Sequence, residues 1–99
     1  MCLGRKMEKG LRLKKDFQIV RVADENMVIP IGEAAFSFRG IVIISEETAF
    51  LLKQLGERKT EKELEKLLTD CYNVEQERAK RDVSAVVEKL LQMGVLEDI

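Results

Sequence analysis

The spacing of apolar residues along this chain changes at Ser45 from a strand pattern to a helical one. Between Phe17 and Ile44 the helical period is absent, and short runs of β-branched residues are separated by polar segments. After Ser45, apolar residues recur every three or four positions as far as Leu90, which is the spacing of one face of a helix. Strands followed by helices predict an α+β domain.

The strand half contains a predicted β-hairpin. Residues 17–22 and 27–31 are rich in β-branched side chains and flank a polar turn at residues 24–26, a pattern typical of two paired antiparallel strands. Residues 32–40 predict a short irregular strand or a wide loop. A third strand follows, because four strand-preferring apolar residues stand in a row just before Ser45: Ile41, Val42, Ile43 and Ile44.

Three helices are predicted in the second half. Ser45 is a good N-cap for a helix over residues 46–55, since its hydroxyl can accept from a first-turn N–H. Thr60 and Glu63 form a capping box that begins the second helix. The third begins near Glu75 or Gln76 and ends at Gly94, because glycine readily adopts the left-handed conformation that terminates helices.

Length and composition predict one small soluble domain without catalytic machinery. The chain has 99 residues, of which 45% are hydrophobic and 35% charged, and no histidine; this removes the commonest general base and the commonest metal ligand together. No apolar run approaches the roughly 20 residues of a membrane helix. We therefore predict no enzyme activity, no metal, no cofactor and no membrane partner.

The two cysteines predict neither a disulfide nor a redox site. Cys2 and Cys71 form no C-x-x-C motif, and Cys71 falls on a helical apolar stripe, where it is most simply a small buried side chain. The default compartment for such cysteine usage is the reducing cytoplasm.

Charge is divided unevenly along the chain. Residues 1–15 carry a net +5, whereas residues 16–99 carry eleven basic and seventeen acidic side chains, a net −6. We interpret residues 1–12 as a basic, solvated and partly disordered arm and residues 13–99 as the folded domain. Contact of the arm with phosphate or with an acidic partner is the alternative.

The third strand is apolar on both faces, which does not fit a small sheet with one face packed on the core and the other exposed to solvent. Successive side chains of a strand alternate, so Ile41 and Ile43 point one way while Val42 and Ile44 point the other. Either the chain covers the second face, with the third helix or residues 36–38, or a ligand does. The functional hypothesis is a groove between this strand and the third helix, where an extended peptide adds as a further strand.

The residues that carry these features resemble the PqqD-like family, the prototype of the peptide-recognition elements used in making ribosomally synthesised, modified peptides. The similarity lies in the order and spacing of several short motifs, although Ser45 stands where the family often has Asn and Leu52 where it often has a larger residue. The matching motifs are residues 44–52, the T-x-x-E-L sequence at 60–64, Tyr72-Asn73-Val74, Asp82-Val83, Leu90-Leu91 and Gly94-Val95-Leu96.

The resemblance implies a winged-helix-like fold, a three-stranded antiparallel sheet followed by three helices. It implies a non-catalytic adaptor that binds the leader segment of a precursor peptide beside the third strand and presents the peptide to a modifying enzyme, in PqqD's case a radical S-adenosylmethionine enzyme. By position, the binding strand is Ile41, Val42, Ile43 and Ile44, and the candidate helix residues are Arg81, Val83, Ser84, Ala85, Val87 and Glu88. Arg81, or Arg39 just before the strand, would pair with an acidic leader residue.

Three other functions are weighed against this one. A nucleic-acid-binding winged helix is the main alternative, but the acidic body lacks the basic face that such domains use to neutralise phosphates. Catalysis would need paired carboxylates or an activated nucleophile, and the acidic residues fit helix caps and i,i+4 partners instead. Self-association through the third strand would give a weak or strand-exchanged homodimer in place of a monomer.

Overall fold

The computed structural model describes residues 10–37 and 40–99, which form two small antiparallel sheets and four helices. The strands are β1 Gly10–Leu13, β2 Phe17–Val22, β3 Glu25–Pro30, β4 Val42–Ile44, β5 Lys59–Thr60 and β6 Leu96–Asp98. The helices are α1 Ala34–Ser37, α2 Glu46–Gln54, α3 Glu61–Tyr72 and α4 Gln76–Met93. The predicted α+β class is confirmed, and the three predicted strands and helices correspond to β2–β4 and α2–α4.

The sheet that contains the predicted hairpin has the strand order β2-β3-β4. Its turn is shorter than the sequence predicted: Ala23 and Asp24 have φ values of 49° and 71°, as in the two-residue type I′ turn that matches strand twist. The predicted turn at residues 24–26 is therefore wrong in extent, because Asn26 is already a buried strand residue opposite Ile44.

A second sheet, of order β5-β1-β6, was not predicted. Its central strand β1 includes Leu11, which is 1% exposed, and Arg12, whose Nε and Nη2 donate to Glu97 Oε2 at 3.1 and 3.0 Å. Residues 10–12, assigned to the basic arm from the sequence, thus lie within a strand. Residues 1–9 of that arm, with Cys2, lie outside the described residues.

The local signals for the helix ends are confirmed. The Thr48 N–H donates to Ser45 Oγ at 3.1 Å and caps α2. At the start of α3, the Glu63 N–H donates to Thr60 Oγ1 at 3.2 Å and the Thr60 N–H donates to Glu63 Oε1 at 2.8 Å, completing the capping box. Gly94 ends α4 with a φ of 82°. These local contacts fix where α2 and α3 begin and where α4 ends.

The core lies between the helices and the inner faces of both sheets. Cys71, predicted to be buried, is exposed on α3; the prediction is wrong because the apolar stripe of α3 is narrower than the sequence suggested. Within the described residues, none of the helices has the length and apolar content needed to cross a bilayer. The most buried core side chains are Leu11, Val28, Leu52, Leu55, Leu64, Leu68, Ala79, Val83, Val95 and Leu96.

Candidate functional site

Strand β4 has one edge that is paired and a second edge that is open among the described residues. Its three residues pair with β3 in the registers Asn26–Ile44, Met27–Ile43 and Val28–Val42, and the sheet order places no other described strand beside it. The backbone groups along its second edge are not used in the sheet, and such an edge is a template for a further strand.

The side chains of this strand are apolar on both faces, as the sequence indicates. Val42 and Ile44 are half-buried and pack against the core, whereas Ile41 and Ile43 are 54% and 60% exposed. Phe36, one of the residues considered as cover for the second face, is itself 90% exposed. Phe38, the other aromatic residue of that segment, lies outside the described residues, and so does Arg39, the second candidate for pairing with an acidic leader residue. The outer face of β4 is thus open as far as the described residues go.

A groove of about 70 Å³ lies between the open edge of β4 and helices α2 and α4. This volume is well below the roughly 300–1,000 Å³ of a typical small-molecule site, so the groove suits an aliphatic side chain rather than a cofactor. It is lined by Val42, Ile43, Ile44, Thr48, Val86, Lys89 and Leu90.

The structure brings three of the four predicted strand residues to this groove but none of the six helix residues. Val83 and Val87 lie in the hydrophobic core. The other four are exposed on α4 outside the groove lining: Arg81, Ser84, Ala85 and Glu88. Their assignment to a binding site stays a prediction, and the helix wall of the groove consists of other side chains.

The residues that the sequence missed are Thr48, Val86, Lys89 and Leu90. Each helix residue turns the side chain by about 100°, and Val86 and Lys89 therefore lie on a face adjacent to the buried stripe of Val83 and Val87. The apolar periodicity shows where that stripe is, but the side of it that faces β4 depends on how α4 packs against the sheet.

Two ion pairs lie near the groove. Arg21 Nη1 lies 2.7 Å from Glu46 Oε2, next to the end of β4, and Arg78 Nε lies 3.2 Å from Asp82 Oδ2, one turn before Val86. Among the described residues, no cluster of acidic or thiol side chains is placed to hold a metal ion. The groove is therefore an apolar channel with one basic side chain, Lys89, in its wall.

A second, wider concavity of about 470 Å³ lies at the end of α4. Its charged side chains have both signs, so they define no single class of ligand. It is lined by Lys14, Asp16, Phe17, Glu33, Ala34, Met93 and Gly94.

The fold and the groove define a small α+β domain with an open sheet edge beside a long helix. The model of the family "Coenzyme PQQ synthesis protein D (PqqD)" matches residues 40–96, which is more than half of the chain and includes β4 and the three long helices. The chain belongs to the PqqD family, as the sequence motifs predicted.

A solved structure supports the same fold. The structure described as "Lasso peptide synthetase B1 complexed with the leader peptide" superimposes with a TM-score of 0.68, covering 88% of this chain and 96% of that one at 20% sequence identity. Among curated proteins, no sequence match is found. At this identity the similarity shows the shared α+β fold; the predicted likeness to winged helices stays a prediction.

Proposed function

We propose that this protein is a non-catalytic adaptor that binds the leader segment of a ribosomal precursor peptide. The observation that carries the proposal is the open edge of β4 beside an apolar groove, in a chain of the PqqD family. The superimposed lasso peptide synthetase B1, which was solved with a leader peptide, supports it.

The proposed mode of binding is strand addition. A peptide paired with β4 gains backbone hydrogen bonds of about 0.5–1.5 kcal/mol each, and its alternate side chains point toward α4. Side chains on one face of a strand are about 6.8 Å apart, close to the rise of about 6 Å between Val86 and Leu90 on the helix. Two successive inward side chains of the peptide would thus pack against one turn of α4.

The proposed partner of the loaded adaptor is a peptide-modifying enzyme in the cytoplasm. The PqqD resemblance makes a radical S-adenosylmethionine enzyme the first candidate. The unloaded protein would be a monomer or a weak, strand-exchanged homodimer, because an open edge can also pair with a second copy. Light scattering with and without peptide measures this: peptide should dissociate any dimer formed through β4.

The direct test uses synthetic peptides that correspond to the N-terminal parts of short reading frames next to this gene. We expect calorimetry to find one with a dissociation constant in the micromolar range or tighter, about −8 kcal/mol. Hydrogen exchange should then show new protection of amides in residues 42–44. Binding by none of these peptides, or binding without protection at β4, would contradict the proposal.

A matched pair of variants locates the binding site on α4. Val86→Glu puts a charge into the groove and should weaken peptide binding at least tenfold, because the carboxylate must be buried or must displace the peptide. Ser84→Glu makes the same charge change on the exposed side of the helix, outside the groove lining, and should leave affinity unchanged; a loss of affinity would instead support the sequence-based assignment of Ser84 to the binding site. Arg81→Glu tests the predicted pairing of Arg81 with an acidic leader residue, which fails if affinity does not change.

A nucleic-acid function is distinguished by its salt dependence. We expect no retention of random duplex DNA at moderate salt, because residues 16–99 carry a net charge of −6. Binding that falls steeply with salt would favour the nucleic-acid alternative.

A further inference from the structure

Lys89 is the charged member of the groove lining. Of the six other lining residues, five are aliphatic and one is Thr48. Val86 lies one turn before Lys89 on α4, so the alkyl part of the lysine can follow the apolar wall while its ammonium group stays at the rim. A peptide in the groove would therefore pass next to this positive charge.

Lys89 has no acidic partner within the described part of the chain. Residues three or four positions away on a helix are neighbours that can form ion pairs, and around Lys89 none of them is acidic: they are Ala85, Val86, Gln92 and Met93. None of the salt bridges found among residues 10–37 and 40–99 involves Lys89.

Three basic side chains, two on the helices and one beside β4, are paired, unlike Lys89. Arg78 is paired with Asp82 earlier on α4, and Lys66 is paired with Asp70 on α3. Next to the Ile44 end of β4, Arg21 is paired with Glu46. Among the described residues that line the groove, Lys89 is thus the one positive charge, and neutralised pairs lie near it.

We infer that Lys89 determines specificity by selecting an acidic side chain in the bound peptide, an inference that rests on the proposed function. In an added strand, residues two positions apart face the same side. An aliphatic side chain that packs against Val86 and Leu90 therefore places the residue two positions away on the α4 side as well, within the region of Lys89. The preferred ligand is an extended peptide with Asp or Glu two positions from a large aliphatic residue.

The test is a displayed library of random peptides, selected for binding to the wild-type protein and to three variants. Lys89→Met keeps the length of the side chain and removes its charge, and Lys89→Glu reverses the charge. Lys80→Glu is the matched control, because Lys80 is exposed on the same helix and lies about 13 Å along the axis from Lys89.

We expect wild-type binders to be enriched in Asp or Glu two positions from an aliphatic residue. Lys89→Met should lower the affinity for such a peptide about fivefold, the scale of a partly exposed ion pair. It should also remove the salt dependence of that affinity. Lys89→Glu should select Lys or Arg at that position instead. Lys80→Glu should retain the wild-type preference.

The alternatives separate this inference from the proposed function. The role of Lys89 would be overturned by peptides whose binding is lost with Val86→Glu but which show no preference for an acidic residue. It would also be overturned by an acidic preference that persists in Lys89→Met. In both cases the groove would keep its proposed function. A library that yields no binder sensitive to Val86→Glu would overturn both.

Discussion

Neighbouring residues of α4 have different environments because a helix turns by about 100° per residue. Val83 is fully buried in the core, Ser84 is exposed, and Val86 is half-buried at the groove. From the sequence, Val83 and Val86 belong to one apolar stripe and are equivalent. The packing of α4 against the sheet separates them, which is why the strand side of the candidate site was predictable and the helix side was not.

The first prediction separates core residues of α4 from surface residues. Val83→Ala should lower the free energy of unfolding by about 2 kcal/mol, because it removes buried methyl groups and leaves a cavity. Ser84→Ala should change it by less than about 0.5 kcal/mol. Urea denaturation measures both, and equal stabilities of the two variants would contradict the assignment of Val83 to the core.

At the scale of whole elements, the sequence predicts what is encoded locally. The caps of α2 and α3 and the glycine that ends α4 are signals within a few residues of the helix ends, so the helix bounds were nearly correct. Strand β1 was missed because its partners β5 and β6 lie far along the chain. Its four residues follow a basic segment and have no turn signal that marks them as a strand.

The second prediction concerns the capping box of α3. Thr60→Ala removes the hydroxyl that accepts from the Glu63 N–H and should lower the free energy of unfolding by about 1 kcal/mol. Thr69→Ala makes the same change inside α3 and should alter it by less than about 0.5 kcal/mol. Thermal unfolding of the two variants measures the difference. A Thr60→Ala variant as stable as the wild-type protein would show that the cap contributes nothing to the free energy of unfolding.

For the whole molecule, the second sheet joins segments from both ends of the described chain. Strand β1 is central, with β5 on one side and β6 on the other, and the Ile99 N–H donates to the Gly10 carbonyl oxygen at 2.8 Å. This sheet shares no strand with β2-β3-β4. The edge strand that forms the groove is therefore supported by its own hairpin and by the helices.

The third prediction tests the predicted boundary between arm and domain. A chain that begins at Gly10 retains β1, whereas a chain that begins at Lys14 lacks it and loses buried Leu11. We expect the shorter chain to be less stable than the longer one by more than about 3 kcal/mol, since burial of Leu11 alone contributes on that scale. Equal melting temperatures would show that β1 adds nothing to the stability of the domain and would favour the sequence-based boundary between residues 12 and 13, which lies inside β1.

The edge strand β4 is only three residues long. Under the proposed function, a precursor peptide needs only a short recognition segment to pair with β4. The rest of its sequence can diverge without loss of binding to the adaptor. One adaptor of this kind would then bind several different precursor peptides, and a further peptide would become a ligand by acquiring the short recognition segment alone.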